Sequence, residues 1–379
     1  MVAAPGVEQA QGVGHDQYTL WIFGLPLLIA ACIEAPIAWL SDRVSRRALL
    51  IAGTGVLACA LAFCALAKSP WQLSLGLSVA GAASGVACTV AQSELVATSG
   101  MNAQRVMSRW TAYAAAGDLL APLLVGLALG CGGTYRTALA TLAGVIAAQT
   151  ACMLHTTRRR RDQTEPAQAP ACSESAADVE TLVPSQPSTR LRARYALWLC
   201  LFAGSCCMLL DEVVVALAAL RLQLDRHWTP SAAALVMSGF SAGSLLGSLI
   251  TERLLRTVQA HHVMLAAAVS SIACLAMFIA ASSPVVLSIA LFFLGVSAAP
   301  NHALSHGAAY ELAPGRPGLV NALAQAFVLV EIALPLCVGA IAVHMGLAAA
   351  LAALAFEPCV VTAVTWLCAA EVARSARRH

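Results

Sequence analysis

Six carboxylic acids lie inside long apolar segments of this chain, and they have the clearest potential for chemistry. They are Glu34, Asp118, Asp211, Glu212, Glu331 and Glu357. Placing a charge at such depth in a membrane costs roughly 2.5–3.5 kcal/mol. An acid that persists there either binds a proton or a substrate, or stays neutral and hydrogen-bonded to another helix.

The candidates for proton coupling or substrate binding are Asp118, Glu331, Glu34 and Asp211. Asp118 follows Arg109 by nine residues, which places it roughly 13 Å along a helix and near the middle of a bilayer. Glu34 precedes Asp42 by eight residues and is expected at a similar depth. Asp211 is expected nearer the outer face, where solvation alone could account for it.

A second polar group lies around Pro300, where His302 and His306 are four residues apart and share a helix face. Two imidazoles could bind a transition metal or relay protons. No third ligand is identifiable, so no metal is expected and polar lining of a transport path is favoured. Asn321 and Gln325 are further cavity-lining candidates, with packing between helices as the equal alternative.

The composition identifies the elements that must position these groups. Of the 379 residues, 59% are hydrophobic and 11% are charged, whereas soluble domains carry about 25% charged residues. The apolar residues form continuous blocks of about 20 or more, long enough to cross a bilayer as helices. They do not alternate as the strands of a membrane barrel would. An all-α polytopic membrane protein is therefore predicted.

Eleven membrane spans are predicted. The first five are 18–41, 48–67, 71–97, 108–130 and 134–156, and the last six are 195–221, 231–252, 260–282, 284–311, 318–344 and 347–370. The expected organisation is an outer tail (1–17), a five-span bundle (18–156), a disordered linker (157–194), a six-span bundle (195–370) and a tail (371–379).

Positive charge predicts the orientation of these spans. All but four of the 22 lysine and arginine residues fall on one side of the alternating spans. The four exceptions are Lys68, Arg136, Arg221 and Arg226. The linker and the C-terminus are therefore expected in the cytoplasm, which marks a cell (cytoplasmic or inner) membrane protein with residues 1–17 outside.

The loop after the first span carries the most specific motif, Leu-Ser-Asp-Arg-Val-Ser-Arg-Arg at 40–47. It resembles the cytoplasmic loop signature of the major facilitator superfamily, Gly-x-Leu-x-Asp-Arg-x-Gly-Arg-Arg. Ala38 and Ser45 replace the usual glycines. The resemblance implies a gating loop, which steadies one conformation and holds topology without contacting substrate. Its members are Asp42, Arg43, Arg46 and Arg47.

An internal repeat supports the same resemblance. Residues 118–126 match 331–339, each with an acid, a proline four residues later and a glycine eight residues later. Residues 42–46 match 252–256 at nearly the same offset. Two half-transporters related by an axis along the membrane normal would give such spacing. Helix kinks are expected at Pro122 and Pro335.

The family resemblance implies two helical bundles that move a small molecule by alternating access, coupled to protons or another ion. The stretch 117–126 resembles the family's antiporter signature, which favours export slightly over uptake. Proton-driven exporters carry an arginine where this chain has Leu77, so proton coupling is argued from the acids alone. Two Gly-x-x-x-Gly patterns, at 81–85 and 243–247, indicate close helix crossings.

Two other functions stay open at this level. In the family the loop signature follows the second span, whereas here it follows the first, so the chain resembles a member without its opening helix. It could then be a non-transporting remnant, or a membrane sensor or assembly protein. No phosphate-binding loop or nucleophile–base set is present, so no enzyme and no cofactor are expected. The expected partners are lipid, a small-molecule substrate and protons or another coupling ion; no nucleic-acid binding is expected, and the chain is expected to be a monomer.

The charge distribution gives a testable topology. An epitope tag fused after His379 should be protected from protease in right-side-out membrane vesicles. A tag inserted at 281–283 should be cleaved in the same vesicles, which also controls for protease access. Cleavage of the C-terminal tag in sealed vesicles would contradict the orientation.

Overall fold

The computed structural model describes residues 25–100, 102–163 and 187–376, and these residues form helices without a strand. The expected outer tail at 1–17 lies outside the described residues. So do the central part of the linker, 164–186, and the last residues, 377–379. The parts of the linker nearest the spans are helical, because the helix before it extends to Gln163 and the next begins at Pro187.

Five helices precede the linker. They are α1 (Leu25–Leu40), α2 (Arg46–Leu66), α3 (Pro70–Thr98), α4 (Ala103–Gly130) and α5 (Tyr135–Gln163). Nine follow it. They are α6 (Pro187–Cys206), α7 (Val214–Leu224), α8 (Pro230–Leu254), α9 (Ala260–Ala280), α10 (Pro284–Leu312), α11 (Pro317–Ala324), α12 (Val328–Met345), α13 (Leu347–Ala353) and α14 (Phe356–Ala376). A π turn at Leu209–Val213 follows α6, and a 3-10 turn at Gln325–Phe327 follows α11.

Nine stretches of the described chain are helical, long and apolar enough to cross a membrane. Three of them are compound, since 194–224, 317–345 and 347–367 each join two consecutive helices. The helices α1 and α4 occupy the other two predicted spans. Large apolar side chains such as Leu66, Leu235 and Val343 are exposed on these helices, as lipid contact requires. The predicted all-α membrane fold is confirmed.

Local sequence chemistry sets several helix ends. The Ser45 hydroxyl accepts a hydrogen bond from the Ala48 N–H and caps α2. Thr229 caps α8 in the same way, and Pro230 follows it at the first helical position, where no N–H is needed. Gly346 separates α12 from α13 with a φ of 90°, a conformation that favours glycine.

The helices form two compact units. The first contains residues up to Ala91 together with Leu127–Ala196, and the second contains Gln92–Gly126 together with Leu197–His379. The ends of α3 and α4 therefore belong to different units from their beginnings. The division into bundles at 18–156 and 195–370 stays a prediction.

The first unit is built on the packing of α2 against α5. Cys64, Leu73 and Tyr135 form a small buried cluster at one end of these helices. Beside it, the guanidinium of Arg136 donates to the Ala67 carbonyl at 2.9 Å. This bond satisfies a carbonyl at the end of α2, where the helix leaves its last acceptors unpaired.

The second unit depends on close packing of α8 against α10. A side chain at Gly243 would overlap the backbone carbonyl of Phe292, and one at Gly247 would overlap the backbone of Val296. From the other helix, Gly295 lies equally close to the backbone of Phe240. The expected close crossing at Gly243 and Gly247 is therefore confirmed.

The close crossing of α8 and α10 predicts that replacing two glycines of α8 by alanine has very different effects on stability. Gly243→Ala should lower the free energy of unfolding by about 1–3 kcal/mol, because its methyl group meets backbone that only moves with the whole helix. Gly239→Ala is the matched control, since no heavy atom lies within 4 Å of the added carbon. Thermal unfolding of both variants in detergent measures the difference. Equal stability of the two would contradict this packing.

Candidate transport site

Five of the six membrane acids lie in the second unit and influence one another electrostatically. Asp211 is an electrostatic neighbour of Glu212, Asp118 and Glu357, and Glu331 is a neighbour of Glu212. These five residues form the acidic cluster. They come from four separate places in the chain: α4, the π turn, α12 and α14. Three of the four predicted coupling candidates, Asp118, Asp211 and Glu331, thus belong to the acidic cluster.

The π turn presents two acids of the cluster. Within it, the Val214 N–H donates to the carbonyl of Leu209, five residues back. This wider turn interrupts the α-helical ladder between α6 and α7, as π bulges frequently do at functional sites. The turn carries Asp211 and Glu212 as successive residues. Successive residues of an α-helix are likewise only about 1.5 Å apart along the helix axis.

Glu357 fixes the π turn from α14. Its side chain is fully buried, and Oε2 accepts a hydrogen bond from the Leu210 N–H at 2.7 Å. Oε1 accepts from Nδ2 of Asn301 at 3.3 Å, which ties α10 to the same carboxyl group. A backbone N–H left without a partner in a membrane interior would cost several kcal/mol, so this carboxyl group replaces an acceptor of the interrupted helix.

The side chains of the acidic cluster differ in their exposure. Asp118 and Glu212 are exposed, Asp211 and Glu331 are half-buried, and Glu357 is fully buried. None of the five forms an ion pair with arginine or lysine within the described part of the chain. Glu331 instead accepts a hydrogen bond from the buried Ser205 hydroxyl. Because exposed carboxylates are costly against lipid, these side chains must be protonated or reach water or a polar ligand.

The two predicted histidines lie together on α10. The rings of His302 and His306 are 4.4 Å apart between centroids, and both side chains are partly buried. The absence of a side chain at Gly204 makes room for the His306 ring. In the described residues, no group of three or more histidines, cysteines and acids could hold a metal ion.

Asn321 and Gln325 have different surroundings. Asn321 is buried, accepts a hydrogen bond from the Tyr310 hydroxyl and donates to Ser93 Oγ at 3.1 Å. It therefore joins α11 to α10 and to the end of α3 within the second unit. Gln325 is half-buried in the 3-10 turn and has interactions of its own. Lining of a cavity by either residue stays a prediction.

Glu34 belongs to the first unit and is half-buried on α1. Its carboxylate occupies the space that a side chain at Gly85 would need, and Cys88 lies nearby on the same helix, α3. Because Gly85 has no side chain, the carboxylate of Glu34 can approach α3 closely. A coupling role for Glu34 stays a prediction.

The predicted gating loop forms local contacts in the first unit. Arg46 pairs with Asp42 at 2.9 Å, Arg43 stacks over the Trp39 ring at 3.8 Å, and the exposed Arg47 also has a partner. The corresponding acid of the second repeat, Glu252, pairs instead with an arginine of α4, Arg109, at 2.6 Å.

Both predicted kink prolines lie inside helices, Pro122 in α4 and Pro335 in α12. A third proline, Pro300, lies inside α10 one residue before Asn301. A proline in a membrane helix frees a backbone carbonyl and is tolerated where neighbouring groups can satisfy it.

Sequence reasoning did not select Glu357, Glu212 or Asn301 as site residues. Glu357 looks like any other isolated acid in an apolar segment. Its importance comes from Leu210 and Asn301, which are far from it in the chain. No sequence signal identifies such partners, although an acid midway along an apolar span could have been ranked higher.

Comparisons with known proteins agree on one fold. A family model described as Major Facilitator Superfamily matches residues 1–218 and 201–377. The structure of the human organic anion transporter MFSD10 (TETRAN) is similar with a TM-score of 0.67 and 16% identity, over 96% of this chain and 88% of that chain.

The major facilitator transporter FucP, in its outward conformation, is similar with a TM-score of 0.64 and 14% identity. This match covers 97% of the present chain and 93% of FucP. No curated protein sequence matches the chain. At identities this low, the similarity to the two structures concerns the fold.

The role of Glu357 can be tested by stability. Glu357→Leu leaves two buried donors, the Leu210 N–H and Asn301 Nδ2, without their acceptor, at a cost of about 1–3 kcal/mol for each. Glu357→Gln retains one acceptor oxygen and should lose less. Glu212→Gln, an exposed member of the cluster, is the control and should change stability little. Thermal unfolding in detergent checks this order, and a neutral Glu357→Leu would contradict it.

Proposed function

Because this chain belongs to the major facilitator superfamily, we propose that it is a proton-coupled secondary transporter of a small molecule, working preferentially in export. A transporter rather than an enzyme is what the family and both similar structures indicate. The chain is a multi-pass membrane protein. Membership of the family does not by itself indicate proton coupling or the direction of transport.

The acidic cluster carries the proposal of proton coupling. Asp118 and Glu331 are acids on separate helices, without a base to neutralise them in the described residues. Like charges held near each other disfavour full ionisation, so such carboxyl groups readily take up a proton. Asp118 and Glu331 are proposed as the coupling residues, with Asp211 as an electrostatic neighbour of Asp118.

Other titratable groups lie around the cluster and would share in any pH dependence. The two cysteines that precede the π turn, Cys206 and Cys207, are buried beside Glu357. The His306 imidazole faces Gly204 from α10, and the His302 ring lies beside it. If the carboxyl groups do not couple transport to protons, these histidines are the next candidates.

Export and orientation are proposed from the sequence. The stretch 117–126 of α4 resembles the antiporter signature of the family, with Pro122 at its centre. The positive charge on one side of the spans supports a cytoplasmic C-terminus in the cell membrane. The chain is proposed to act as a monomer with two bundles, at 18–156 and 195–370, rocking around the transport path.

Reconstitution can test proton coupling while the substrate is still unidentified. Proteoliposomes with an imposed pH gradient are incubated with a small-molecule extract of the expressing cells, and accumulated solutes are identified by mass spectrometry. Asp118→Asn and Glu331→Gln should abolish accumulation of those solutes while retaining their exchange at equal pH. Each change removes a titratable carboxyl group but keeps its shape and polarity.

The control is Glu311→Gln, because Glu311 is an exposed acid at the end of α10 and outside the acidic cluster. It should accumulate the same solutes as the unmodified protein. Accumulation by both Asp118→Asn and Glu331→Gln at the unmodified level would place the coupling group elsewhere.

A further inference from the structure

A polar cavity of about 400 Å³ lies between the start of α4 and the loop that joins α8 to α9. Both segments belong to the second unit, and the volume is within the range of small-molecule sites. No acidic residue of the described chain lines the cavity. The polar side chains that line it are Asn102, Gln104, Arg256, Thr257 and Gln259.

The amide side chains of this cavity can act as donors. Oδ1 of Asn102 already accepts a hydrogen bond from the Gln104 N–H at 2.8 Å, which leaves Nδ2 of Asn102 to donate. The amides of Gln104 and Gln259 each carry two further N–H groups. The cavity therefore offers a set of N–H groups that suits a ligand rich in acceptor oxygens.

The helix α9 begins in the wall of the cavity, at Ala260. The side chain of its N-cap residue, Gln259, makes no capping hydrogen bond. The first N–H groups of a helix have no acceptor within the helix and carry a partial positive charge. This helix end adds to the donors and to the positive potential that the side chains provide.

Arg256 supplies a full positive charge. Its exposed guanidinium forms no ion pair or hydrogen bond within the residues that the structure describes. The nearby acids are bonded to other groups, because Glu252 pairs with Arg109 at 2.6 Å and Glu311 accepts from the Gln104 N–H. The positive charge that lines the cavity is therefore not neutralised by the described chain.

The cavity lies where two membrane spans end. The apolar stretch of α8 ends at Leu254 and that of α9 begins at Ala260, so the loop between them is at the boundary of membrane and water. Phospholipid headgroups occupy this depth, and basic pockets between membrane helices bind them. The predicted orientation places the same loop on the cytoplasmic side, which soluble phosphate compounds also reach.

We propose that this cavity is a binding site for a phosphate group. The Arg256 guanidinium binds the phosphate oxygens, and the amides of Asn102, Gln104 and Gln259 donate to them. The phosphate belongs either to an anionic phospholipid or to a small soluble compound. Because the ligand contacts both α4 and the α8–α9 loop, it stabilises the packing of these segments, which Arg109 and Glu252 also join.

The chemistry of the cavity separates phosphate from other ligands. A phosphate group presents several strong acceptor oxygens and up to two negative charges, whereas a carboxylate presents two oxygens and one charge. A carboxylate should therefore bind more weakly. An amine would meet Arg256 and a set of donors, so it should be excluded.

Thermal unfolding of the purified protein in a neutral detergent tests the site. In the soluble arm, inorganic phosphate is compared with acetate and chloride at the same pH and ionic strength. In the lipid arm, mixed micelles with phosphatidylglycerol are compared with micelles that contain the same mole fraction of phosphatidylcholine. A ligand that binds only the folded protein raises its unfolding temperature.

Stabilisation by inorganic phosphate alone identifies a soluble ligand, and stabilisation by phosphatidylglycerol alone identifies a lipid headgroup. Either result supports the proposal. If neither phosphate nor phosphatidylglycerol stabilises the protein beyond its control, the proposal fails.

Two arginines of the same helix end provide a matched pair of variants. Arg256→Gln should weaken the apparent affinity for the stabilising probe about tenfold or more, because it removes a charge-assisted hydrogen bond. Arg253→Gln removes the same charge from an exposed arginine that does not line the cavity, and it should leave the affinity unchanged. Equal losses in both variants would show a diffuse attraction to positive charge and would overturn the proposal.

A third variant separates loss of binding from loss of folding. Gln259→Glu keeps the shape of the side chain but places a carboxylate among the donors, so binding of the probe should be lost. An acid at the start of a helix is favourable, and the variant should therefore unfold at the same temperature as the unmodified protein or higher when no probe is present. Unchanged binding by this variant would contradict the site.

Discussion

The energetic cost of carboxylates in a low-dielectric interior is the constraint on which the second unit depends. Five acids lie in it with no basic residue paired to them among the described residues. Such a group must be protonated, hydrated, hydrogen-bonded or bound to a cation. The protein meets this demand in full only for Glu357, which accepts two hydrogen bonds, and in part for Glu331, which accepts one. The unmet part is the physical basis for the proposed proton coupling.

Glu357 links the cost of burying a carboxyl group to the backbone hydrogen bonding of the π turn. Its carboxyl group accepts the Leu210 N–H, a donor that the π turn has removed from the regular helical ladder. The same carboxyl group holds Asn301 of α10, so three elements meet at one side chain. A change in its charge would therefore be felt by the turn that carries Asp211 and Glu212. Its role in transport would be to position the accessible acids rather than to contact substrate.

Small residues allow these polar groups to be buried. Gly243, Gly247 and Gly295 let α8 and α10 approach to backbone contact, which fixes α10 and the polar groups it carries. Gly204 leaves room for the His306 ring in the same unit. In a membrane, where burial of apolar surface gives little drive for helices to associate, such close packing is a main source of stability.

The sequence alone determined the class of protein, its long apolar helices and the family. These follow from the length and continuity of apolar blocks and from the loop at 40–47, which are local properties of the chain. It also identified Asp118 and Glu331 as acids that are costly to ionise, because the free energy of placing a charge in a membrane depends on its depth. Only the tertiary structure assembled the acidic cluster and selected Glu357 and Asn301, which are 56 residues apart. Hydrogen-bond partners and charge neighbours on different helices are set by packing, and no local pattern records them.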